Sequence, residues 1–225
     1  MSGIVSIRAA LESALDAMPG IIPAAAITTS AVAPSGTPSV FNAPSHGLIT
    51  GLNVRISGHT GSTPAVDGSY LVQVIDSNNF TLQSIVNQGT ISLSVGGTGG
   101  TVKANLTAWE NMSFQTTADV PYQATYLLVA TPENPTFGDG FYRENGIFQV
   151  NLFYPQQIGT GAIGSRAELI RSTFKRGSTF VKDGILVIIN ATPDIGSNLS
   201  TSGTQGDDRW MLPVKISWYS NIFSS

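Results

Sequence analysis

Between residues 25 and 104 the chain carries four charged side chains, Arg55, Asp67, Asp76 and Lys103, while the flanking segments hold the other 21 of its 25. Short β-like runs at 53–56, 70–75, 80–82 and 91–95 alternate there with turn residues: Ser57-Gly58, Asp67-Gly68, Ser77-Asn78-Asn79 and the Gly-rich 96–100. No segment of this stretch repeats its apolar residues at the helical period. Alternating short runs punctuated by Gly, Asn and Asp predict a small antiparallel barrel or sandwich. The break in composition on either side predicts an insertion: residues 25–104 form one module, and 1–24 with 105–225 form another. An insert costs its host little when its ends lie together, because loop-closure entropy grows only logarithmically with length.

The flanking segments read differently. Ile4, Ile7, Leu11, Ala14 and Met18 recur at spacings of three and four, the period of one buried helix face, and Pro19-Gly20 ends the run. Beyond the insert, 122–130 reads as a strand. Residues 146–154 set Ile147, Gln149 and Asn151 against Phe148, Val150 and Leu152, which predicts another. A second helix is expected with Ile163, Ala167, Ile170 and Phe174 on one stripe and Arg166 and Arg171 on its flanks. Lys175-Arg176-Gly177 suits its C-terminus, with cations near the negative end of the helix dipole and a glycine just past it. Residues 184–190 are expected to form a strand buried on both faces. Trp210, Leu212, Val214, Ile216 and Trp218 alternate strictly and predict a last strand with one face in the core. The fold class is therefore α+β: a two-layer domain of mostly antiparallel sheet with two helices on one face, interrupted by a small all-β barrel insert.

Composition removes several chemistries. The chain has 225 residues and no Cys, which excludes disulfides, thiolate zinc sites and a cysteine nucleophile. Eleven basic against 14 acidic residues give a net charge of −3, without the basic excess of a nucleic-acid binder. No apolar run approaches the ~20 residues of a membrane span. Arg8, Glu12 and Asp16 interrupt any apolar core of a secretory leader in the first twenty residues, so synthesis and assembly in a cytoplasm are expected.

The sharpest motif is Gly159-Thr160-Gly161-Ala162-Ile163-Gly164, a literal G-x-G-x-x-G. In the dinucleotide fingerprint the first glycine follows its strand in a tight turn, but here Pro155-Gln156-Gln157-Ile158 intervenes. Asp183 precedes the next strand instead of ending it, and there is no second βαβ half. A loop leading into a helix is the simpler reading. His46 and His59, the only histidines, lack the clustered carboxylates of a metal set, and no G-x-S-x-G elbow supplies a serine nucleophile. Neither catalytic, cofactor nor metal residues are assigned. Asp207-Asp208-Arg209 reads as a solvated turn or as a salt bridge across a subunit boundary. Arg143-Glu144 and Glu110 read as isolated charges. Arg143, Glu144, Asp208 and Arg209 are the candidate inter-subunit contacts, weighed against ordinary surface charge worth ~0–1 kcal/mol per pair.

Two resemblances follow from ordered motifs. The outer segments, 1–24 and 105–225, resemble the phage tail terminator-like family. The carriers are the helix 4–18 ending in Pro19-Gly20, Ala108-Trp109-Glu110-Asn111, the run Tyr122-Gln123-Ala124-Thr125-Tyr126-Leu127-Leu128, and 142–155 (YRENGIFQVNLFYP). A Gly-rich loop, a helix closing at Phe174-Lys175-Arg176-Gly177 and the strand Trp210-Met211-Leu212-Pro213-Val214-Lys215-Ile216 complete the order. The insert, over about 40–102, is similar to the FCCH-like β module through His46-Gly47-Leu48-Ile49-Thr50-Gly51, Asp67-Gly68-Ser69-Tyr70, 74–82 and the closing Gly-rich 96–100. The first resemblance implies a structural virion protein and no enzyme. It implies a homo-oligomeric ring, six-fold, at the head-proximal end of the tail tube, which stops tube polymerisation and gives the head connector a docking surface. DNA would pass through its lumen without sequence-specific binding, and its place would be the tail or neck of the virion. A neck or tail-completion protein without length control is the alternative of the same class. A glycan- or receptor-binding insert is the alternative from another class; it would need exposed aromatics to stack sugars, and 40–102 holds only Phe41, Tyr70 and Phe80, two of them expected in strands as core. The loops 131–140 and 201–206 are expected to order on assembly.

Overall fold

A computed structural model describes residues 3–33, 37–135, 140–156, 158–197, 199–201 and 209–223. The chain divides into two compact units, Met1–Met18 with Thr107–Ser225 and Pro19–Leu106.

Helix α1 spans Gly3–Asp16. Its buried side chains are Ser6, Ile7, Ala10, Leu11 and Leu15, followed by Met18 just past its end. Ile4 and Ala14, expected in the stripe, are half-buried, because the buried face centres on the Ile7–Leu11–Leu15 row instead of on its border.

Seven short strands follow: β1 (Ala25–Ala26), β2 (Thr29–Ser30), β3 (Phe41–Asn42), β4 (Asn53–Ser57), β5 (Gly68–Val74), β6 (Asn79–Ser84) and β7 (Thr101–Ala104). They form one sheet in the order β1-β7-β4-β5-β6-β3-β2, antiparallel throughout. Residues 25–31 reach both ends of it. Ala25 and Ala26 pair with β7, and Ile27 N–H donates to Gly100 O. Three residues on, Ser30 pairs with Phe41 and Ala31 N–H donates to Val40 O. The core is apolar and compact: Phe41 and Phe80 stack at 5.7 Å over Val54, Ile56, Val72, Leu82 and Val102. Residues 91–95, expected as a strand, are not one. Ile91 N–H bonds Leu82 O, Leu93 N–H bonds Ser39 Oγ and Val95 bridges Thr63, so the segment takes three different partners in turn. Of its three aliphatic residues only Leu93 is fully buried.

The second unit continues with β8 (Thr107–Ala108), β9 (Tyr122–Val129), β10 (Phe141–Pro155), α2 (Gly161–Thr173), β11 (Thr179–Lys182), β12 (Ile185–Ile189), β13 (Asp194–Ile195), β14 (Leu199–Thr201) and β15 (Arg209–Phe223). Its sheet runs β11-β12-β15-β10-β9-β8, with β13 and β14 also paired to β15. Among the described residues only the β8–β9 pair is parallel. The spine is the β10–β15 ladder, unbroken from Phe141↔Phe223 to Pro155↔Arg209. Phe148, Val150 and Leu152 face Ile216, Val214 and Leu212 across it, all buried. The α2 stripe Ile163, Ala167, Ile170 and Phe174 is buried, and the Phe174 ring lies 6.1 Å from Phe148. Ile222 approaches Gly3 of α1 on the same side of β15 as Ile216, since both sit at even positions. Both helices therefore cover one face of the sheet.

Three features differ from expectation. β12 buries Val187 and Ile189 but leaves Leu186 42% exposed, because the helices cover only one face. β11 forms a hairpin with β12 through Asp183-Gly184, both at positive φ (51° and 80°), the conformation a two-residue primed turn requires. β10 begins five residues before the expected start, and β15 continues to Phe223.

Candidate assembly surface

The charged residues of the larger unit tie its elements together. Glu110 Oε2 accepts hydrogen bonds from Leu127 N–H at 3.0 Å and from Arg8 Nη1. These two bonds hold its carboxyl below the usual range and fix α1 to the loop after β8. Glu110 is thus no isolated charge. Arg166 is not on a flank but buried: its Nε and Nη2 fork onto Gln123 Oε1 at 3.2 and 3.0 Å, joining α2 to β9. Desolvation pushes its pKa down and the nearby Tyr154 opposes that; a guanidinium stays charged regardless. Neither pairing was legible locally, since the partners lie 102 and 43 residues apart.

The four candidate contacts go to different places. Arg143 lies on the helix-free face of β10. Its Nε donates to Asn221 Oδ1 at 3.0 Å, its guanidinium stands 4.9 Å from the Tyr219 ring centre, and Glu133 is 3.7 Å away. It lines a shallow groove of about 510 Å³ with Glu133, Asn145, Asn190, Ser217 and Tyr219. Glu144 points to the opposite face, opposite Ser220. It is buried, its Oε2 has no hydrogen-bond partner among the described residues, and desolvation raises its pKa. Arg209 opens β15 and is also buried. It donates to Val120 O and to Thr117 O (2.9 Å) and lies 5.1 Å from the centre of the Tyr122 ring, which stacks on Phe153 at 4.6 Å. It thereby holds the end of the loop between β8 and β9. Glu144 and Arg209 are not ordinary surface charges. Asp208 lies outside the described residues, as do Asp207 and most of 201–206; within 131–140, residues 136–139 do too.

The two histidines are structural staples of the insert. His59 Nδ1 donates to Gly99 O at 2.7 Å while its Nε2 meets Ser30 Oγ at 2.9 Å. His46 Nε2 donates to Asp76 O at 3.0 Å and its Nδ1 accepts from Leu48 N–H at 2.9 Å. Each ring is buried and saturated, which fixes its tautomer. Two of the insert's three aromatics named for sugar stacking, Phe41 and Phe80, are fully buried against one another. The G-x-G-x-x-G segment places Gly159 at φ 78° before α2, whose N-cap Thr160 makes no side-chain cap bond. Among the described residues no group of three or more His, Asp or Glu side chains is placed to hold a metal ion, and no helix is long and apolar enough to cross a membrane.

Within this unit charged groups cross-link strands, helix and loops, beside a sheet face that no helix covers among the described residues. The comparisons supply a family. The family model described as "Phage tail terminator protein" matches residues 98–218, more than half of the chain. The chain belongs to this family and is a phage tail structural protein. The match opens at the Gly-rich end of the insert and stops inside β15. No curated protein matches the chain. One solved structure is 26% identical over 53% of this chain and 80% of its own, with a TM-score of 0.40.

Proposed function

We propose that this chain is the subunit of a closed homo-oligomeric ring, six-fold, seated at the head-proximal end of a phage tail tube. The ring stops tube polymerisation and offers the head connector its docking surface. The observation that carries this reading is the family match over 98–218, which spans most of the sheet and all of α2. A ring closes on itself through heterologous contacts, and capping a tube with a face unlike the tube's own leaves no template for further growth. Its partners are other copies of this chain, the tail tube protein and the connector or neck proteins. DNA threads the lumen without sequence-specific contacts. Assembly takes place in the bacterial cytoplasm and the product resides in the virion neck.

The larger unit is read as a two-layer α+β domain of residues 1–24 and 105–225, and residues 25–104 as an inserted FCCH-like barrel that decorates it. Supporting the barrel is the way residues 25–31 hydrogen-bond to β7 and then to β3, the two flanks of the same sheet. Arg143, half-exposed in its groove, is the leading inter-subunit contact of the four. Glu144, Asp208 and Arg209 keep that assignment as proposals, Arg209 acting through the loop it holds. The test is genetic. Phage in which this reading frame is stopped early should make overlong tails, or tails not joined to heads. Tails of normal length attached to heads would overturn the role.

A further inference from the structure

The larger sheet ends in two edges of similar length where, among the described residues, no further strand is paired along most of the edge, although the Glu110 carboxylate takes Leu127 N–H on one of them. At one end β11 pairs only with β12 among the described residues. The hairpin register, with Ile189 N–H bonded to Ser178 O, turns the backbone groups of Thr179 and Val181 outward. At the other end β8 covers β9 only at Gln123 and Ala124. Residues 125–129 (Thr-Tyr-Leu-Leu-Val) have β10 on one side and, among the described residues, no strand on the other. Natural edges are blunted by charges, prolines or bulges, because a bare edge recruits another strand. Residues 125–129 hold no charge and no proline, and β11 holds one charge, Lys182, at its end. Val181 is 66% exposed, Leu128 51% and Tyr126 40%.

The faces match as well. Val181 stands opposite Leu186, on the side away from the helices; Phe180, its neighbour, points to the helix side, where its ring meets Phe174 at 5.1 Å. Leu128 and Tyr126 stand opposite Ile147 and Gln149, also on the helix-free side. A sheet continued from one edge to the other keeps its faces, so Val181 would land beside Tyr126 and Leu128, apolar on apolar. Lys182 would approach the edge where the Glu110 carboxylate caps Leu127 N–H.

We propose that neighbouring copies join edge to edge, β11 of one adding to residues 125–129 of the next, so that a single sheet runs through each subunit boundary. The contact uses opposite ends of one sheet, so it is heterologous and repeats from copy to copy, as a ring requires. It rests on the ring reading above and names the surface that makes the ring. A second copy is the occupant because both edges and their matched faces belong to this chain.

The absence of cysteine makes the contact directly testable. The full chain is prepared as Val181→Cys with Leu128→Cys, as Val181→Cys with Tyr126→Cys, and as each single variant, then oxidised with copper phenanthroline. At least one double variant should convert most of the chain into a reducible ladder of dimers and higher multimers, while the single variants give no ladder. Val181→Pro, which removes an N–H directed outward, should shift the chain from ring to monomer by light scattering while its circular dichroism is retained. If the wild type forms rings, but neither double variant cross-links and Val181→Pro still assembles, the edge contact is wrong and the ring stands. If cross-linking requires added tube protein, the contact belongs to the tube and the proposal fails. A wild type that stays monomeric at high concentration overturns the ring reading and this proposal with it.

Discussion

The two units of this chain solve the problem of a β-rich core in opposite ways. The larger unit relies on length. Two 15-residue strands run in one register, and two helices seal one face with Ile7, Leu11, Ile170 and Phe174. Its buried arginines, Arg166 and Arg209, each find carbonyl oxygens at a distance in sequence. The insert has strands of two to seven residues and, among the described residues, no helix. It depends on polar side chains that bind backbone: His59 and His46 on carbonyls, Asp67 on the N–H groups of Gly58 and His59, and Asp76 on those of Asn78 and Asn79. A short ladder satisfies few backbone groups of its own, so side chains must complete the account. This explains how the insert dispenses with charge on most of its surface yet retains Asp67 and Asp76.

If the units are separate cores, large core deletions should stay local. Phe148→Ala should cost ~3–5 kcal/mol, with protection from hydrogen exchange lost in β10 and β15 and kept in β4 and β6. Phe41→Ala should do the reverse with a similar magnitude. Equal loss in both units from either substitution would show that they melt as one and break the comparison.

Gly146→Ala should follow, at ~1–3 kcal/mol in the larger unit. A Cβ there would lie 2.3 Å from Leu128 O and 2.9 Å from Trp218 Cζ2, so the ladder or the indole must move. A thermal midpoint equal to wild type would show that β9 yields freely. In the insert, His59→Ala removes the two bonds that tie it to Ser30 of β2 and to Gly99, for a loss of ~1–2 kcal/mol confined to that unit.

The smallest effects, and the most discriminating, are in pH. Asp67 and Asp76 are held below their usual 3.8 by the hydrogen bonds they accept, so the stability they lend the insert is present above that value and lost as pH falls through the lowered one. Glu144 is pushed above its usual 4.5 by burial, so its contribution to the larger unit is complete below 4.5 and is lost as pH rises through the raised value. Glu12 acts in the same direction and Glu110 in the opposite one. Glu144→Gln should therefore raise the midpoint of the larger unit at neutral pH and leave it unchanged at pH 4, without affecting the insert. A variant less stable than wild type at neutral pH would mean that the carboxylate is wanted charged.

The sequence carried periodicity well and partnership poorly. The stripe Ile163–Ala167–Ile170–Phe174 and the alternation Trp210–Leu212–Val214–Ile216–Trp218 are local consequences of helix and strand geometry, and every one of these residues is buried except Trp210, which lies exposed at the start of β15. The β11–β12 hairpin has a local signal in Asp183-Gly184 between two aliphatic runs, a two-residue turn with both residues at positive φ. Residues 91–95 alternate like a strand, yet no single neighbour runs beside them. The burial of Arg166, Glu144 and Arg209 was not legible at all. Their surroundings come from Gln123, Ser220 and Val120, which only the tertiary fold brings near.

The central claim is that the Phe141–Phe223 ladder belongs to a subunit that closes into a ring. End-on class averages of the purified wild-type chain in negative stain test it most directly. They should show a closed annulus of uniform diameter with one rotational symmetry. Isolated 23.6 kDa particles at every concentration, or open filaments, would contradict it.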